Sequence, residues 1–202
     1  DHLPKTEKYI PKQRLWYIRA KEVVISSGSI ERPLVFGNND TPGVILSSAA
    51  KEYLKIYGVL VGKKPIVFTN NDSGYETAIE FKKNGIDTVV LDTRKNPNSE
   101  IIKEAKDLNI DIKFSYVVVA AKGYKKVKSA DIAKISDDKK NISNIENIKC
   151  DCICVSGFWT PTIHLASQSG NKTKFNEEID AFIPSQSKQK ETTLGSANGI
   201  FT

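Results

Sequence analysis

The sequence lacks methionine entirely, and its 202 residues include only two histidines and three cysteines. Because a complete reading frame begins with methionine, we expect this chain to be a piece of a longer polypeptide. No apolar run approaches the length of a membrane span, since the longest, residues 116–121, has the length of a buried strand. There is also no secretion signal. We therefore predict a soluble, cytoplasmic protein that makes no membrane contact.

The few cysteines argue against a metal or redox centre. Cys150, Cys152 and Cys154 alternate along a strand-like run, so we expect their side chains to share one face. Neighbours on one strand face are poorly placed for a disulfide, and the spacing is not a C-x-x-C motif. We favour buried free thiols in a reducing compartment over a metal site. No metal ligands are predicted.

Arginine is scarce as well, so the net charge of +6 comes almost entirely from lysine. Nucleic-acid-binding proteins concentrate Arg and Lys together with exposed aromatic residues on one face. The lysines of this chain are spread along the sequence. We therefore predict no nucleic-acid partner.

Residues 65–94 contain the pattern of a β-α-β unit. A strand at 65–68 leads through a short loop into an amphipathic helix at 75–84, and a second strand at 88–91 ends in Asp92. In a dinucleotide-binding fold the loop carries G-x-G-x-x-G, with two glycines for the phosphate and a third for helix packing. Thr69, Asn71 and Gly74 occupy those positions here. The sequence thus predicts the fold but not the phosphate site.

Charge at the start of this helix also opposes phosphate binding. Helix N-termini attract anions, but Asp72 already lies there. Ser73 and Glu76 have the spacing of a capping box, which would satisfy the same amides. Asp92 stands where an acidic residue would hold a ribose hydroxyl, or it is a remnant of an ancestral site.

The whole chain is predicted to be α/β, with a Rossmann-like FAD/NAD(P)-binding fold. Residues 1–13 form a lead-in; residues 14–60 and 148–202 form part of one dinucleotide-binding domain. Residues 61–147 form a second Rossmann-like domain inserted into the first. Further elements are predicted as strands at 14–20, 22–26, 112–121, 127–135, 142–148 and 150–156, and as helices at 47–57 and 99–108.

Several short motifs are specific enough to suggest a family. They are Glu-Arg-Pro at 31–33, Asn-Asn-Asp-Thr-Pro-Gly at 38–43, the loop at 69–75, and the segments at 155–161, 163–170 and 195–199. Together they resemble the alpha subunit of heterotetrameric sarcosine oxidase over nearly the whole chain. The resemblance identifies the chain as the central part of the NAD-binding region of such a subunit.

The resemblance implies a function for the parent protein. Such enzymes demethylate sarcosine to glycine with O2, giving H2O2, and transfer the one-carbon unit to tetrahydrofolate as 5,10-methylenetetrahydrofolate. FAD is bound by the beta subunit, FMN lies between alpha and beta, and NAD is bound by alpha; gamma and delta subunits complete the complex. An upstream glycine loop and a downstream folate domain are implied for alpha. This chain alone is therefore expected to be inactive.

Five residues are predicted to contact NAD. By the resemblance, Gly195, Ser196 and Phe201 lie where the chain returns to the cofactor, and small residues allow backbone amides to approach a ligand. Ser27 and Gly28 at a strand end line the same cofactor or only turn the chain. No nucleophile–base pair or carboxylate pair emerges, so no catalytic residue is predicted.

Three other residues have structural predictions. His164 lies in an apolar block, so a packed histidine is favoured over a proton shuttle. Glu31 and Arg32 are expected to pair with their surroundings at a joint between domains.

Three alternative functions remain open on the sequence. A pyridine-nucleotide disulfide reductase shares the fold within a fold, but both its C-x-x-C and its inserted glycine loop are missing. A related flavin-dependent amine or opine oxidase, or hydrogen cyanide synthase, shares much of the motif pattern. The third alternative is a non-catalytic Rossmann scaffold that organises subunits.

Overall fold

The computed structural model describes Tyr9, Gln13 and residues 15–201. The predicted lead-in at 1–13 therefore lies almost entirely outside the described residues. Fourteen strands occur in this part of the chain: β1 Val23–Ile25, β2 Ser29–Glu31, β3 Val44–Leu46, β4 Pro65–Thr69, β5 Val89–Asp92, β6 Asp111–Phe114, β7 Tyr116–Lys122, β8 Ser129–Lys134, β9 Glu146–Lys149, β10 Cys152–Ser156, β11 Trp159–Pro161, β12 Thr173–Asn176, β13 Ala181–Pro184 and β14 Glu191–Thr193. The helices are α1 Ser47–Tyr57, α2 Ser73–Lys83, α3 Glu100–Asp107 and α4 His164–Gln168, followed by a 3-10 turn at Gly195–Asn198.

The chain divides into two compact units. A central unit comprises Ser29–Thr160, and a terminal unit comprises the described residues up to Gly28 together with residues 161–201. The central unit is wider than the inserted domain predicted at 61–147, because β3 and β10, which flank that range, pair with each other and join the same sheet as β4. Strand pairing, which joins segments distant in sequence, therefore decides where the unit begins and ends.

The central unit is built on a five-stranded parallel sheet of order β3-β10-β4-β5-β6. β4 and β10 are buried along their whole length, as strands covered on both faces must be. Helices α1, α2 and α3 pack on one face through a cluster that includes Tyr75, Phe81 and Ile102. The antiparallel sheet β7-β8-β9 covers the other face through a cluster that includes Phe36, Phe68 and Ile132. This is a three-layer arrangement around a parallel sheet.

The terminal unit contains two small sheets. β1 and β14 form a parallel pair, in which Ile25 lies opposite Thr193. β12 and β13 form an antiparallel pair whose Phe175 and Phe182 rings meet edge to face. Among the described residues, no helix is long and apolar enough to cross a membrane.

Three local predictions of secondary structure were wrong. The strand predicted at 112–121 is two strands of different sheets, β6 and β7, separated at Ser115, whose φ is +58°. The predicted strand at 14–20 is absent from residues 15–20, which are exposed and belong to no strand. Its apolar residues include Leu15, Trp16 and Tyr17, and an apolar sequence forms a strand only where a partner strand pairs with it. The strand predicted at 142–148 is confined to β9, and Ile142 makes only an isolated bridge with Ile135.

The three cysteines do not share one face. Cys152 and Cys154 lie within the helix-side cluster with their Sγ atoms 3.8 Å apart, whereas Cys150 belongs to the cluster under the antiparallel sheet. The reason is that β10 begins only at Cys152, so the strand alternation does not extend back to Cys150. All three are buried free thiols, as predicted. Burial raises the pKa of Cys150 to about 12, which keeps this thiol protonated.

Candidate functional site

The carboxyl end of β4 is where a Rossmann fold would bind the pyrophosphate of a dinucleotide. In this chain the buried side chain of Thr69 lies inside the turn that follows β4. Thr69 Oγ1 donates to the carbonyl oxygen of Asn71 (2.9 Å) and accepts from its N–H (3.1 Å). A Cβ added at Gly74 would lie 2.6 Å from Thr69 Oγ1, which confirms Gly74 as the packing glycine of the loop. At the position of the first phosphate glycine, the chain thus has a threonine whose side chain hydrogen-bonds to the backbone of the turn.

The N-cap residue of α2 is Asp72, whose side chain makes no capping hydrogen bond; the first N–H of the helix is satisfied by Asn71 and not by the predicted capping box. Asn71 Oδ1 accepts from the N–H of Ser73 (2.9 Å) and from Ser73 Oγ (2.6 Å), and its Nδ2 donates to the carbonyl oxygen of Ser156 (3.1 Å). Glu76 forms an ion pair with Lys51 of α1 instead. The capping-box prediction was wrong because the helix begins at Ser73, so Ser73 is inside the helix and not before it.

An indole closes the same loop from the strand side. Trp159 Nε1 donates to Ser73 Oγ (3.1 Å), and Ser73 Oγ also lies 3.1 Å from Ser156 Oγ. The loop after β4, the end of β10 and β11 are thereby joined in one network of hydrogen bonds. The N–H and hydroxyl of Ser73 at the start of α2 are therefore already engaged by neighbouring side chains.

Asp92, the residue in the ribose-binding position, belongs to an internal ion cluster. Its side chain is 0% exposed and pairs with Arg94, whose Nη2 lies 2.9 Å from Asp92 Oδ2. Tyr75 Oη donates to the same oxygen (2.7 Å), and the Arg94 N–H donates to Oδ1 (2.9 Å). Arg94 Nη1 is also 2.8 Å from Asp72 Oδ1. The carboxylates of Asp72 and Asp92 are therefore both held by one guanidinium.

The environment of this cluster changes the pKa values of two of its members. Burial, followed by the hydrogen bond to Asp92, raises the pKa of Tyr75 well above its ordinary value. Burial alone would lower the pKa of Arg94, but hydrogen bonds and attraction to Asp92 and Asp72 outweigh it and raise that pKa. Tyr75 is thus a neutral donor and Arg94 a permanent cation at neutral pH.

The N-terminus of α1, at the neighbouring edge strand β3, is occupied as well. Glu31 is buried, and its Oε2 accepts from the N–H of Ser48 (2.9 Å) and from Ser48 Oγ (2.6 Å). A carboxylate is stabilised by the free amides and positive dipole end of a helix. Glu31 was expected to pair with its surroundings, and the structure shows that its partner is the first turn of α1. Two helix N-termini at this edge of the sheet are capped by side chains of the central unit itself.

The residues predicted to contact NAD lie in the terminal unit. Ser27 and Gly28 follow the carboxyl end of β1, and Gly195 and Ser196 follow the carboxyl end of β14, which pairs with β1 in parallel. Ser27 Oγ donates to the carbonyl oxygen of Thr162 (2.7 Å). Four of the five predicted residues, far apart in sequence, thus follow the same ends of two paired strands. Carboxyl ends of parallel strands are where α/β folds bind ligands.

Phe201 follows the same turn. The N–H of Ile200 donates to the carbonyl oxygen of Gly195 (3.2 Å), so the chain returns beside Gly195 just before Phe201, which is half-buried. Gly28 and Gly195 have φ values of +74° and +62°, and the space where a Cβ would project is open in both. Open space beside a positive-φ glycine is what close approach of a ligand to the backbone requires.

The remaining residues singled out in the sequence lie outside these clusters. His164 is exposed at the first residue of α4, contrary to the prediction of a packed histidine, because Ala166 is the buried residue of this short helix. No group of three or more potential metal ligands is present among the described residues. Three residues of these clusters, Arg94, Tyr75 and Trp159, had no predicted role. Of these, only Arg94 had a local signal, since it lies two residues after the strand-end Asp92.

The architecture is shared with solved flavoprotein and pyridine-nucleotide enzymes. The thioredoxin reductase of T. acidophilum superposes with a TM-score of 0.70 at 16% identity, covering 89% of this chain and 58% of that one. The L-proline dehydrogenase from P. horikoshii gives 0.57 at 23% identity, covering 88% and 30%. The predicted class is therefore confirmed: the chain has the Rossmann-like fold of FAD/NAD(P)-binding oxidoreductases.

Sequence similarity identifies the family more narrowly. The chain is 31% identical over 191 residues to the sarcosine oxidase subunit alpha of Corynebacterium sp. (strain U-96), covering 95% of this chain and 20% of that subunit. It is 33% identical over 198 residues to the same subunit of Rhizobium meliloti (strain 1021), covering 97% and 19%. No family model matches. The chain belongs with the sarcosine oxidase alpha subunits, and it spans about a fifth of the length of the curated relatives it matches.

Proposed function

We propose that this chain serves in the alpha subunit of a sarcosine oxidase, as part of the region that binds NAD. The reaction of the complex would be oxidative demethylation of sarcosine to glycine with O2, giving H2O2 and 5,10-methylenetetrahydrofolate. FAD and FMN would be held on or shared with a beta subunit, and gamma and delta subunits would complete the assembly. The similarity to named alpha subunits over 95% of the chain supports this proposal.

Within the chain, the two units have different proposed roles. The terminal unit contributes to the NAD site through Ser27, Gly28, Gly195, Ser196 and Phe201. The supporting observation is that four of these residues follow the carboxyl ends of the parallel pair β1–β14. The phosphates of a bound NAD would need small residues and free backbone amides close by.

The central unit does not fit a dinucleotide, and we propose that it is a scaffold. Thr69 fills the turn, Asn71 and Glu31 satisfy the N-termini of α2 and α1, and Arg94 joins Asp92 to Asp72. A cofactor phosphate would have to displace these internal bonds and would approach a site that carries Asp72. A fold that is kept while its ligand site is lost supports a structural role.

No residue of the chain is proposed to be catalytic. The described residues contain no metal cluster, the thiols are buried, and His164 is an isolated exposed histidine. We therefore expect the chain by itself to release no H2O2 from sarcosine, with or without added FAD. Sarcosine-dependent peroxide above the blank would contradict the assignment of this region to a non-catalytic part of the subunit.

NAD retention by a purified alpha subunit that contains this chain tests the two roles. Ser196→Asp places a negative charge at the proposed site and should abolish NAD retention, measured by chromatography of the released nucleotide. Ser185→Asp, an exposed position in the same unit, is the matched control and should retain NAD. Asp72→Asn in the central unit should also retain NAD unchanged. Loss of NAD from Asp72→Asn but not from Ser196→Asp would reverse the assignment of the two units.

A further inference from the structure

Three segments of the central unit meet at the end of its parallel sheet where the strands begin, here called the amino-terminal edge. The N–H of Asp151 donates to the carbonyl oxygen of Lys64 (3.2 Å), which joins the start of β10 to the loop before β4. The N–H of Cys150 donates to the carbonyl oxygen of Lys128 (3.3 Å), which joins the end of β9 to the turn between β7 and β8. Residues that are distant in sequence are thereby assembled into one surface, here named the lysine surface: Lys63, Lys64, Lys125, Lys126, Lys128 and Lys149.

The lysine surface has little internal neutralisation. All six side chains are exposed, and none forms an ion pair with any residue in the described part of the chain. The carboxylate of Asp151 accepts the backbone N–H groups of Lys63 and Lys64 at 2.8 Å each, so it stabilises the loop. Lys122, in the adjoining strand, is already paired with Asp131. Six exposed lysines without an ion pair among the described residues therefore lie on the segments that meet at residues 150–151.

The opposite edge of the same sheet has the reverse character. It carries Asp72, Asp92 and Glu31, with Arg94 the cation held between the first two. The six lysines thus give the amino-terminal ends of β4 and β10 a local excess of positive charge over Asp151, although Asp111 begins β6 on the same side of the sheet. A one-sided charge excess raises the rate at which an oppositely charged partner is captured.

We propose that the lysine surface is the docking surface for an acidic face of another subunit of the complex, an inference that rests on the proposed function. Charge complementarity favours an acidic protein surface as the occupant. Tyr124, 91% exposed at the tip of the β7–β8 turn among these lysines, supplies the aromatic contact that protein interfaces favour. Nucleic-acid surfaces favour arginine, which recognises phosphate in bidentate fashion, and the lysine surface contains none.

The test uses the complete alpha subunit and the other subunits of the oxidase, purified separately. The variant Lys125→Glu/Lys126→Glu/Lys128→Glu reverses half of the surface, and the matched control Lys103→Glu/Lys134→Glu/Lys140→Glu makes the same change in net charge at exposed lysines elsewhere. The rate of association is measured from about 0.01 M to about 1 M salt, over which the Debye length falls from ~30 Å to ~3 Å. Thermal unfolding confirms that each variant folds, and the milder Lys→Gln triple replaces any that does not.

At low salt the surface variant should associate at least about tenfold more slowly than the control, and the two rates should converge at high salt. Equal rates for the two variants at every salt concentration would overturn the inference while leaving the proposed function intact. Failure of the unsubstituted subunit to associate at all would overturn both. Tight binding of duplex DNA that the surface variant loses, with unchanged subunit association, would also overturn it in favour of a nucleic-acid partner.

Discussion

Replacing Arg94 by glutamine should destabilise the central unit more than a typical ion-pair substitution would. The variant removes the cation that joins Asp92 to Asp72 but keeps the backbone N–H that donates to Asp92 Oδ1. Tyr75 Oη also remains as a donor to Asp92. What is lost is the only charged partner, among the described residues, of a carboxylate whose side chain is 0% exposed.

The size of the effect follows from burial at the two ends of the pair. Removing one partner of a fully buried ion pair costs about 3–5 kcal/mol, because the other charge is left without compensation. The Arg94 side chain is 31% exposed, so water replaces part of what the guanidinium supplied. The two donors that remain reduce the cost further. We therefore expect Arg94→Gln to lower the free energy of unfolding by about 2–3 kcal/mol.

Urea unfolding followed by Trp159 fluorescence measures this change locally, because Trp159 donates to Ser73 at the start of α2. The measurement is made in a Trp16→Phe background, so that Trp159 is the only indole of this chain. Lys82→Gln is the control, since its partner Asp87 is 91% exposed; such a pair contributes about 0–1 kcal/mol.

The double variant Asp92→Asn/Arg94→Gln should be more stable than Arg94→Gln alone. The asparagine carbonyl can still accept from Tyr75 Oη, and no unpaired charge remains buried. Two results would contradict this reasoning: equal losses of stability in Arg94→Gln and Lys82→Gln, or a double variant less stable than Arg94→Gln. Either would mean that Arg94 does not compensate the buried charge of Asp92.

Three further predictions concern the same unit. Asn71→Ala should destabilise the unit by about 1–2 kcal/mol in urea unfolding, because the first N–H of α2 loses its side-chain acceptor. Glu76→Ala should cost under about 1 kcal/mol, because it breaks only an exposed ion pair. The reverse order would restore the capping-box hypothesis. Cys150 should resist iodoacetamide at neutral pH in the folded protein and react once urea unfolds it, as counted by mass spectrometry, since burial raises its pKa to about 12; rapid labelling without unfolding would contradict its burial. Because the pKa of Tyr75 is raised in the folded state, the stability that this residue contributes is fully present below its ordinary pKa of 10.0 and is lost as the pH rises above that value. Above pH 10 the urea midpoint should therefore fall less steeply with pH in Tyr75→Phe than in the unsubstituted chain. Identical pH dependence of the two midpoints would refute the shift.

Much of the central unit was predictable because its signals are local. The apolar run of β4, the loop, the period of α2 and the strand ending in Asp92 lie within thirty residues, and each follows from short-range pattern. The replacement of two phosphate glycines by Thr69 and Asn71 was also visible, and with it the loss of the phosphate site. Local pattern was misleading for residues 15–20 and for His164, whose environment depends on segments distant in the chain.

Tertiary structure decided how the lost site was filled. Sequence spacing suggested that Ser73 and Glu76 cap α2, but strand pairing brings Ser156 beside Asn71, and Asn71 accepts the first N–H of the helix instead. In the same way, folding places Glu31 at the start of α1, seventeen residues further along the chain.

The charge distribution was decided at the same level. Lysines that are scattered along the sequence meet at one edge of the sheet, because β4, β10 and the β7–β8 turn converge there. Composition alone determined that the chain is basic and poor in catalytic residue types. Which charges neutralise one another and which face solvent depends on distances between residues far apart in sequence, and only the folded chain sets those distances.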